Sequence, residues 1–286
     1  MTKQVLILGA SGMAGSHSAQ AFAEAGWAVR RFDRKANNMV EAAMGCDIIV
    51  NAFNPPNYHD WKTNIPAITG SVIKAAQASG ATVIIPGNVY HFGNEGGVWS
   101  ERTLARPNSR KGEIRLQMEE TYKASGVQTI VLRAGNFIDP ASRQDILSLL
   151  HFRNLKQRKI VLPGPAHARQ AMCYIGDWAR AAAELAAMRS ELGRFEDVPF
   201  PGYTLRGIDI QRLAEAELGH PLKGSEFPWT LFKLLGPFWE FAREMNEMRY
   251  LYATDHSLCG KRLQALLPDF QVTPIEKVMK RMLSAS

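Results

Sequence analysis

Val5-Leu6-Ile7-Leu8 is an unbroken apolar run with no polar alternation, and Gly9, Gly12 and Gly15 follow it directly. A strand that is apolar on both faces belongs inside a parallel sheet covered by helices. Small residues then continue at helical spacing through Ala25 until Gly26 stops them. Strand, glycine turn and helix in that order make a cradle for phosphate. Gly9 lets the chain turn sharply, Gly12 lets the backbone approach a pyrophosphate, and Gly15 lets the helix pack closely on the strand. The free N–H groups and positive dipole end of the helix then face the phosphates, which makes Gly9, Ser11, Gly12, Met13 and Gly15 the candidate contacts of a dinucleotide.

The alternation continues. Trp27 to Phe32 reads as a second strand ending at Asp33, and Asp47 to Phe53 as the next buried one. Only the thirteen residues Arg34 to Cys46 separate them. A helix, a strand and a second helix with their loops need roughly thirty. Met39 to Met44 has room for one short helix, so the third, edge strand of a doubly wound sheet is predicted to be missing. Further on, Ile65 to Ser79 reads as a helix, Ala81 to Ile85 as a strand and Gly93 to Asn108 as a surface loop. Lys111 to Ser125 reads as a helix and Gln128 to Arg133 as a strand. The expected fold is an α/β doubly wound parallel sheet with helices on both faces. Residues 1–136 form its dinucleotide-binding domain. Residues 137–286 form a smaller, mainly helical lobe interleaved with the sheet, to which a strand near 195–200 returns. In that lobe Asp145 to Lys156 and Asp177 to Met188 read as helices, and the aromatic stretch Trp229 to Tyr252 as core packing.

Composition narrows the function classes. The net charge of +7 comes from scattered pairs such as Arg30-Arg31, Arg110-Lys111 and Lys280-Arg281, with no dense stripe. Steering of an anionic cofactor or substrate accounts for it, and no nucleic-acid partner is expected. No apolar run approaches the roughly 20 residues of a membrane span. Cys46, Cys173 and Cys259 lie far apart without metal spacing, as fits a reducing cytoplasm and no metal. A small-molecule substrate is the expected partner; a homodimer is left open.

Several ordered motifs carry a family resemblance. Gly9-Ala-Ser-Gly-Met-Ala-Gly15 is followed by Asp33, by Asp47-Ile-Ile-Val-Asn-Ala52 and by Asn88-Val-Tyr90. Leu132-Arg-Ala-Gly-Asn136 with Pro140 comes next, then Arg169 to Ala181 with Tyr174-Ile-Gly-Asp177. The chain resembles the extended or atypical short-chain dehydrogenase/reductase superfamily, in its NAD-dependent epimerase/dehydratase-like branch. The resemblance implies an NAD(P) cofactor held also by Asn51 and Ala52. It further implies hydride exchange at a carbonyl or alcohol carbon, on a substrate of sugar-nucleotide kind. Asp33 matches the ribose-binding acid and favours NAD, whereas Arg34 beside it would suit the 2′-phosphate of NADP.

Two departures bear on mechanism. The family's Tyr-x-x-x-Lys pair moves the proton. Lys111 matches its lysine and implies a contact to the nicotinamide ribose, but Pro107 stands at the tyrosine position. Pro86 stands where the assisting Ser or Thr belongs. Neither proline can carry a proton. Tyr90 and His91 follow the fifth strand of the family's fold, where ligands sit in open α/β sheets, and either could replace the missing acid. Tyr90 joins Lys111 as the catalytic candidate; Asn88, His91 and Asn136 are the substrate-binding candidates. Tyr58-His-Asp-Trp-Lys62 also spells Tyr-x-x-x-Lys, but after the wrong strand, and reads as coincidence. Two functions remain: an NAD(P)-dependent oxidoreductase or epimerase-like enzyme, or a dinucleotide-binding sensor or scaffold without turnover.

Overall fold

The computed structural model describes residues 2–35 and 38–284. In chain order the first half holds β1 (Gln4–Leu8), α1 (Met13–Glu24), β2 (Ala28–Arg31), α2 (Met39–Ala43), β3 (Ile48–Asn51), α3 (Trp61–Ser79), β4 (Thr82–Gly87), β5 (Gly97–Trp99), α4 (Arg110–Ala124) and β6 (Thr129–Arg133). There follow β7 (Asn136–Ile138), β8 (Lys159–Leu162), β9 (Arg169–Tyr174), α5 (Ile175–Ala187), β10 (Phe195–Pro199), β11 (Tyr203–Arg206), α6 (Gly207–Leu218) and β12 (Lys223–Glu226). The chain closes with α7 (Trp229–Leu235), α8 (Glu240–Glu247), α9 (Arg249–Ala253), β13 (His256–Leu258), α10 (Lys261–Leu266) and α11 (Ile275–Ser284).

Six strands form one parallel sheet in the order β10-β6-β4-β3-β1-β2. Successive strand residues point to opposite faces, so each central strand feeds two layers. Val5 and Ile7 of β1 pack with Phe22 of α1 and with Trp178, Ala182 and Leu185 of α5. Leu6 and Leu8 pack on Ile65 and Val72 of α3 and on Met118 and Tyr122 of α4. These four apolar side chains of β1 are fully buried, each stabilising the fold by about 1.5–3 kcal/mol over exposure. The unbroken apolar run is therefore a requirement of the three-layer architecture.

Among the described residues between Arg31 and Ile48 only α2 forms, and β2 is the sheet edge, as the short spacing predicts. Residues 36 and 37 of that stretch lie outside the described residues. At the other edge β10 returns to pair with β6, with Phe195 opposite Thr129. Since all six strands are parallel, the ends of β1, β3, β4 and β6 that carry the motif residues share one edge of the sheet.

Three readings of the sequence change. Gly93 to Asn108 is more than a surface loop: it contains β5, which pairs in parallel with β13 and stacks Trp99 on His256 at 4.5 Å. Asp145 to Lys156 is no regular helix but a π-helical turn, Leu147–His151, and a 3₁₀ turn, Leu155–Gln157. The aromatic stretch divides: Trp229 and Phe232 are core, while Phe238 is 91% exposed. Helices α6 to α11 dominate the second lobe, with the small sheets β11-β9-β7, β12-β8 and β13-β5 beside them.

Candidate functional site

The glycine turn is built as its sequence requires. Gly9 has φ of +76°, and a Cβ there would lie 2.9 Å from the Ala52 carbonyl oxygen. A Cβ on Gly15 would lie 2.1 Å from the Gly9 carbonyl oxygen, so only glycine lets α1 approach the turn. The Gly12 N–H donates to Gly9 O at 2.9 Å. No side chain caps α1, and its first turn holds no acid. The outward N–H groups of Met13, Ala14 and Gly15 and the positive helix end are thus left for an anion. Ser11 and Gly12 are exposed at the mouth of the turn. These residues fit a pyrophosphate.

Asp33 and Arg34 stand exposed beyond β2. The Asp33 carboxylate accepts the Lys35 N–H at 2.9 Å, and the Arg34 guanidinium lies 5.3 Å over the Phe53 ring. Asn51 is inside: its amide donates to the Tyr122 hydroxyl at 3.1 Å and its side-chain oxygen accepts the Phe53 N–H at 3.3 Å. Its contribution is to shape the turn after β3.

The turn after β4 is held from below. The Asn88 side-chain oxygen accepts the Tyr90 N–H at 3.1 Å, while the Asn88 carbonyl accepts from Arg133 Nη1 at 2.6 Å. Arg133 is fully buried at the end of β6 and forked onto Glu119 of α4 and Asp197 of β10. His91 turns inward, 4% exposed, with Nδ1 3.3 Å from Arg133 Nη1. Burial and that guanidinium push its pKa down to about 2, so the ring stays neutral. His91 does not face the strand ends as a substrate contact would.

Tyr90 does. Its hydroxyl lies 3.4 Å from that of Tyr58, and its ring stacks on Trp61 at 6.4 Å. Tyr58 sits at φ of +62°, a conformation costly for a bulky residue and one that gathers at functional sites. The neighbouring Tyr90, burial and Tyr252 together hold the Tyr58 phenol well above its usual range. Arg115 lies 4.5 Å over Trp61 and donates to Asn54 Oδ1 at 2.9 Å, while its buried Nε has no partner. Burial lowers its pKa, and its charge reaches both Tyr90 and Tyr58.

Lys111 is 1% exposed and already engaged. Its Nζ meets the Glu244 carboxylate, lies 2.9 Å from Glu247 Oε2, and stands 5.0 Å over the Tyr58 ring. Arg110 joins the same two acids at 2.8 and 3.3 Å, clamping α8 onto the start of α4. Burial alone would raise the Glu244 pKa, but Lys111, Arg110 and Arg243 hold it below the usual range. The structure therefore ties Lys111 to α8 rather than leaving it open to a ribose.

Beside Tyr252 lies a small pocket of about 20 Å³, room for about one water. Asn136, Tyr252, His151 and Gln170 bring its polar groups; Leu162, Met172 and Ile210 are among its apolar walls. Buried atoms His151 Nδ1 and Gln170 Oε1 have no hydrogen-bond partner. Neither residue is readable from the sequence as a site, since each stands alone in its segment. Glu244 and Glu247 belong to no motif in the sequence, and Tyr58 heads a Tyr-x-x-x-Lys spelling that follows the wrong strand. Among the described residues no cluster of His, Cys, Asp or Glu could hold a metal, and no helix is long and apolar enough to cross a membrane.

A parallel sheet with a glycine turn after its first strand defines a nucleotide-binding α/β protein. The model of the NAD dependent epimerase/dehydratase family matches residues 5–198, and the chain belongs to that family. With the family comes its cofactor class, NAD(P). No curated protein matches this sequence. Solved structures share the fold over nearly the whole chain. MoeE5 in complex with UDP-glucose and NAD is 15% identical, covering 98% of this chain and 97% of that one, with a TM-score of 0.75. UDP-glucuronic acid 4-epimerase from Bacillus cereus, in complex with UDP-glucuronic acid and NAD, is 14% identical, with coverage of 98% and 97% and a TM-score of 0.76. A nucleoside-diphosphate-sugar epimerase from Staphylococcus aureus is 18% identical, with coverage of 98% and 100% and a TM-score of 0.70.

Proposed function

We propose that this protein is an NAD(P)-dependent oxidoreductase or epimerase-like enzyme acting on a carbonyl or alcohol carbon of a small substrate. One observation carries the reading: the hydroxyls of Tyr90 and Tyr58 meet at 3.4 Å beyond the ends of β3 and β4, on the sheet edge that holds the glycine turn. The bound nicotinamide would supply or take up hydride. Tyr90 Oη is the proton carrier at the substrate oxygen, and Tyr58 Oη passes it a replacement proton. Arg115, beside both phenols, offsets negative charge that develops on them. Lys111 is a positioning residue here: it seats Tyr58 and holds α8 against α4. The turn from Gly9 to Gly15 anchors the pyrophosphate, and Asp33 and Arg34 flank the adenosine ribose. The sugar-nucleotide complexes of the structural neighbours support a sugar-like substrate by likeness of fold.

A second reading, a dinucleotide-binding sensor without turnover, is favoured by Pro86, by Pro107 and by the engagement of Lys111 with Glu244 and Glu247. Titration of NAD(H) and NADP(H) followed by tryptophan fluorescence, then turnover of a carbonyl panel with the reduced cofactors, separates the two. In the enzyme, Tyr90→Phe lowers kcat by about 10²–10⁴-fold, the usual contribution of a positioned acid, without changing cofactor affinity. Tight cofactor binding with no turnover anywhere on the panel makes it a sensor. No saturable binding of either cofactor sinks both readings.

A further inference from the structure

We propose that the outer face of α7 and the turn after it, together with the basic end of the β8-β12 ribbon, dock this protein on the surface of a bilayer rich in anionic lipid.

The apolar part of this face is unpartnered. Among the described residues ten large apolar side chains are exposed, and five of them fall within residues 231–239. They are Leu231, Leu234, Leu235, Phe238 and Trp239, with Leu234 at 69% and Phe238 at 91%. Single exposed side chains are ordinary, whereas a run of this kind marks an interaction site. Its origin is the composition of α7, which is apolar on both sides. Trp229 and Phe232 turn inward and pack with Leu150, Val161 and Phe227. Leu231, Leu234, Leu235 and Phe238 keep the i, i+3, i+4, i+7 spacing of the opposite face. The chain turns through Gly236 and Pro237, where the N–H groups of Phe238 and Trp239 donate to Leu235 O at 3.0 and 2.9 Å.

Charge selects the occupant. Residues 146–176 contain no Asp or Glu but carry Arg153, Lys156, Arg158, Lys159 and Arg169. The first four are exposed, as are Lys223 and Lys233, and among the described residues none of these six is in an ion pair. Lys159 stands opposite Lys223 in the parallel β8-β12 pair. Like charges so placed repel, and an anionic surface beside them relieves the repulsion. The acids near the ribbon do not: Glu215 accepts the Leu222 N–H at 2.8 Å, and Glu226 lies at the other end. Only six residues lead from Lys223 to Trp229, so this basic end is within about 20 Å of α7.

A second copy of the chain is the wrong occupant. A two-fold contact sets a patch against itself and would bring these cations together. Phe238 projects instead of lining a groove, and a fluid bilayer receives a projecting ring without a matching pocket. Leu, Phe and Trp at the acyl boundary, with Lys and Arg on anionic headgroups, are the elements of a protein lying on a membrane. Since no helix among the described residues is long and apolar enough to cross, the contact is with the surface.

The test is flotation of the full-length protein with vesicles of phosphatidylcholine alone or with about one-third phosphatidylglycerol, at low and at physiological salt. Binding to the anionic vesicles should exceed that to the neutral ones by at least about tenfold. Leu234→Ser/Phe238→Ser should weaken it by about tenfold or more at physiological salt. Lys156→Gln/Lys159→Gln should remove most of the preference for anionic lipid. All four positions are exposed, so both pairs should fold, as unfolding midpoints will show. Phe238→Ser alone serves if the serine pair is disturbed. The inference is overturned if anionic vesicles do not float the protein, or if they float the serine variant equally well, which would be bare charge attraction. Soluble polyglutamate that binds as tightly as the vesicles, with the serine variant unaffected, overturns it in favour of an acidic protein. An oligomer that Phe238→Ser dissociates in light scattering, with no flotation of the wild type, overturns it in favour of a contact between copies.

Discussion

The two ends of the cleft are made differently. At the glycine turn, the site is backbone: N–H groups, a helix dipole and contacts that admit no side chain at Gly15. At the tyrosine end it is side chains from distant segments, with Tyr58, Tyr90, Arg115 and Tyr252 gathered from four of them. The first end is ordinary for its family and the second departs from it, with Pro86 and Pro107 in place of hydroxyls and Lys111 turned to Glu244. A backbone cradle of this kind contacts only the pyrophosphate that dinucleotides share. A side-chain cluster decides what is done there, and can be rebuilt without disturbing the cradle.

The largest expected effect falls on the cradle. Gly15→Val places side-chain atoms where even a Cβ would be 2.1 Å from Gly9 O, and the backbone cannot yield as a flexible side chain would. Cofactor affinity should fall by more than about 100-fold by fluorescence titration, since a shift of α1 spoils both the N–H geometry and the dipole. Near-normal affinity would mean that phosphate is held elsewhere. Next comes Lys111→Met. Removing Lys111 leaves Glu244, 3% exposed, with only the outer Arg110 and Arg243. Breaking a buried pair in this way costs about 3–5 kcal/mol, to be read from urea unfolding. Cofactor affinity of the folded fraction should change little. The opposite result, stability kept and affinity lost, would place Lys111 at the ribose and erase the contrast between the two ends.

The same contrast explains what was legible in the sequence. Val5 to Leu8, the three glycines and the short interval between Asp33 and Asp47 act locally, so a sequence displays them. The missing edge strand is a matter of chain length and could be counted. Lys111 with Glu244 is a pairing across 133 residues, and no periodicity in α8 separates a solvated acid from one buried on another helix. Tyr58 is hidden for a related reason: its Tyr-x-x-x-Lys spelling follows β3 and not the later strand after which the family's motif falls. Its position depends on a left-handed backbone at residue 58 that propensity does not foretell. His91 went the other way. The site lies where open α/β sheets bind ligands, yet Arg133 draws the ring into the core.

Two buried histidines outside the cradle carry a smaller, pH-dependent signature. The folded-state pKa of His151 is near 4 and that of His91 near 2, both below the ordinary value of 6.5. The unfolded chain therefore binds more protons than the native one below about pH 6.5, and stability falls as pH drops. His151 contributes over the window from about 6.5 to 4, and His91 continues lower. One proton of difference is worth about 1.4 kcal/mol per pH unit. Urea midpoints between pH 6 and 5 should thus depend less steeply on pH in His151→Phe, by about 1 kcal/mol per unit. An unchanged slope would mean that His151 titrates normally and is open to water.

The smallest effect tests the outer rim of the cradle. Asp33 and Arg34 are adjacent and exposed, and solvent screens both. Asp33 turns its carboxylate to the Lys35 N–H, while Arg34 rests over Phe53. A carboxylate there accepts both ribose hydroxyls of NAD and repels a 2′-phosphate, so Asp33→Ser should shift the affinity ratio toward NADP. Arg34→Ala should shift it toward NAD. Each change should be about three- to tenfold by paired titration, because these groups discriminate one phosphate at a wet edge. The two shifts should add in Asp33→Ser/Arg34→Ala only if each residue meets the ribose by itself. If removing Arg34 leaves the ratio untouched, its contact with Phe53 is packing of the β2 edge, and Asp33 alone sets the ratio.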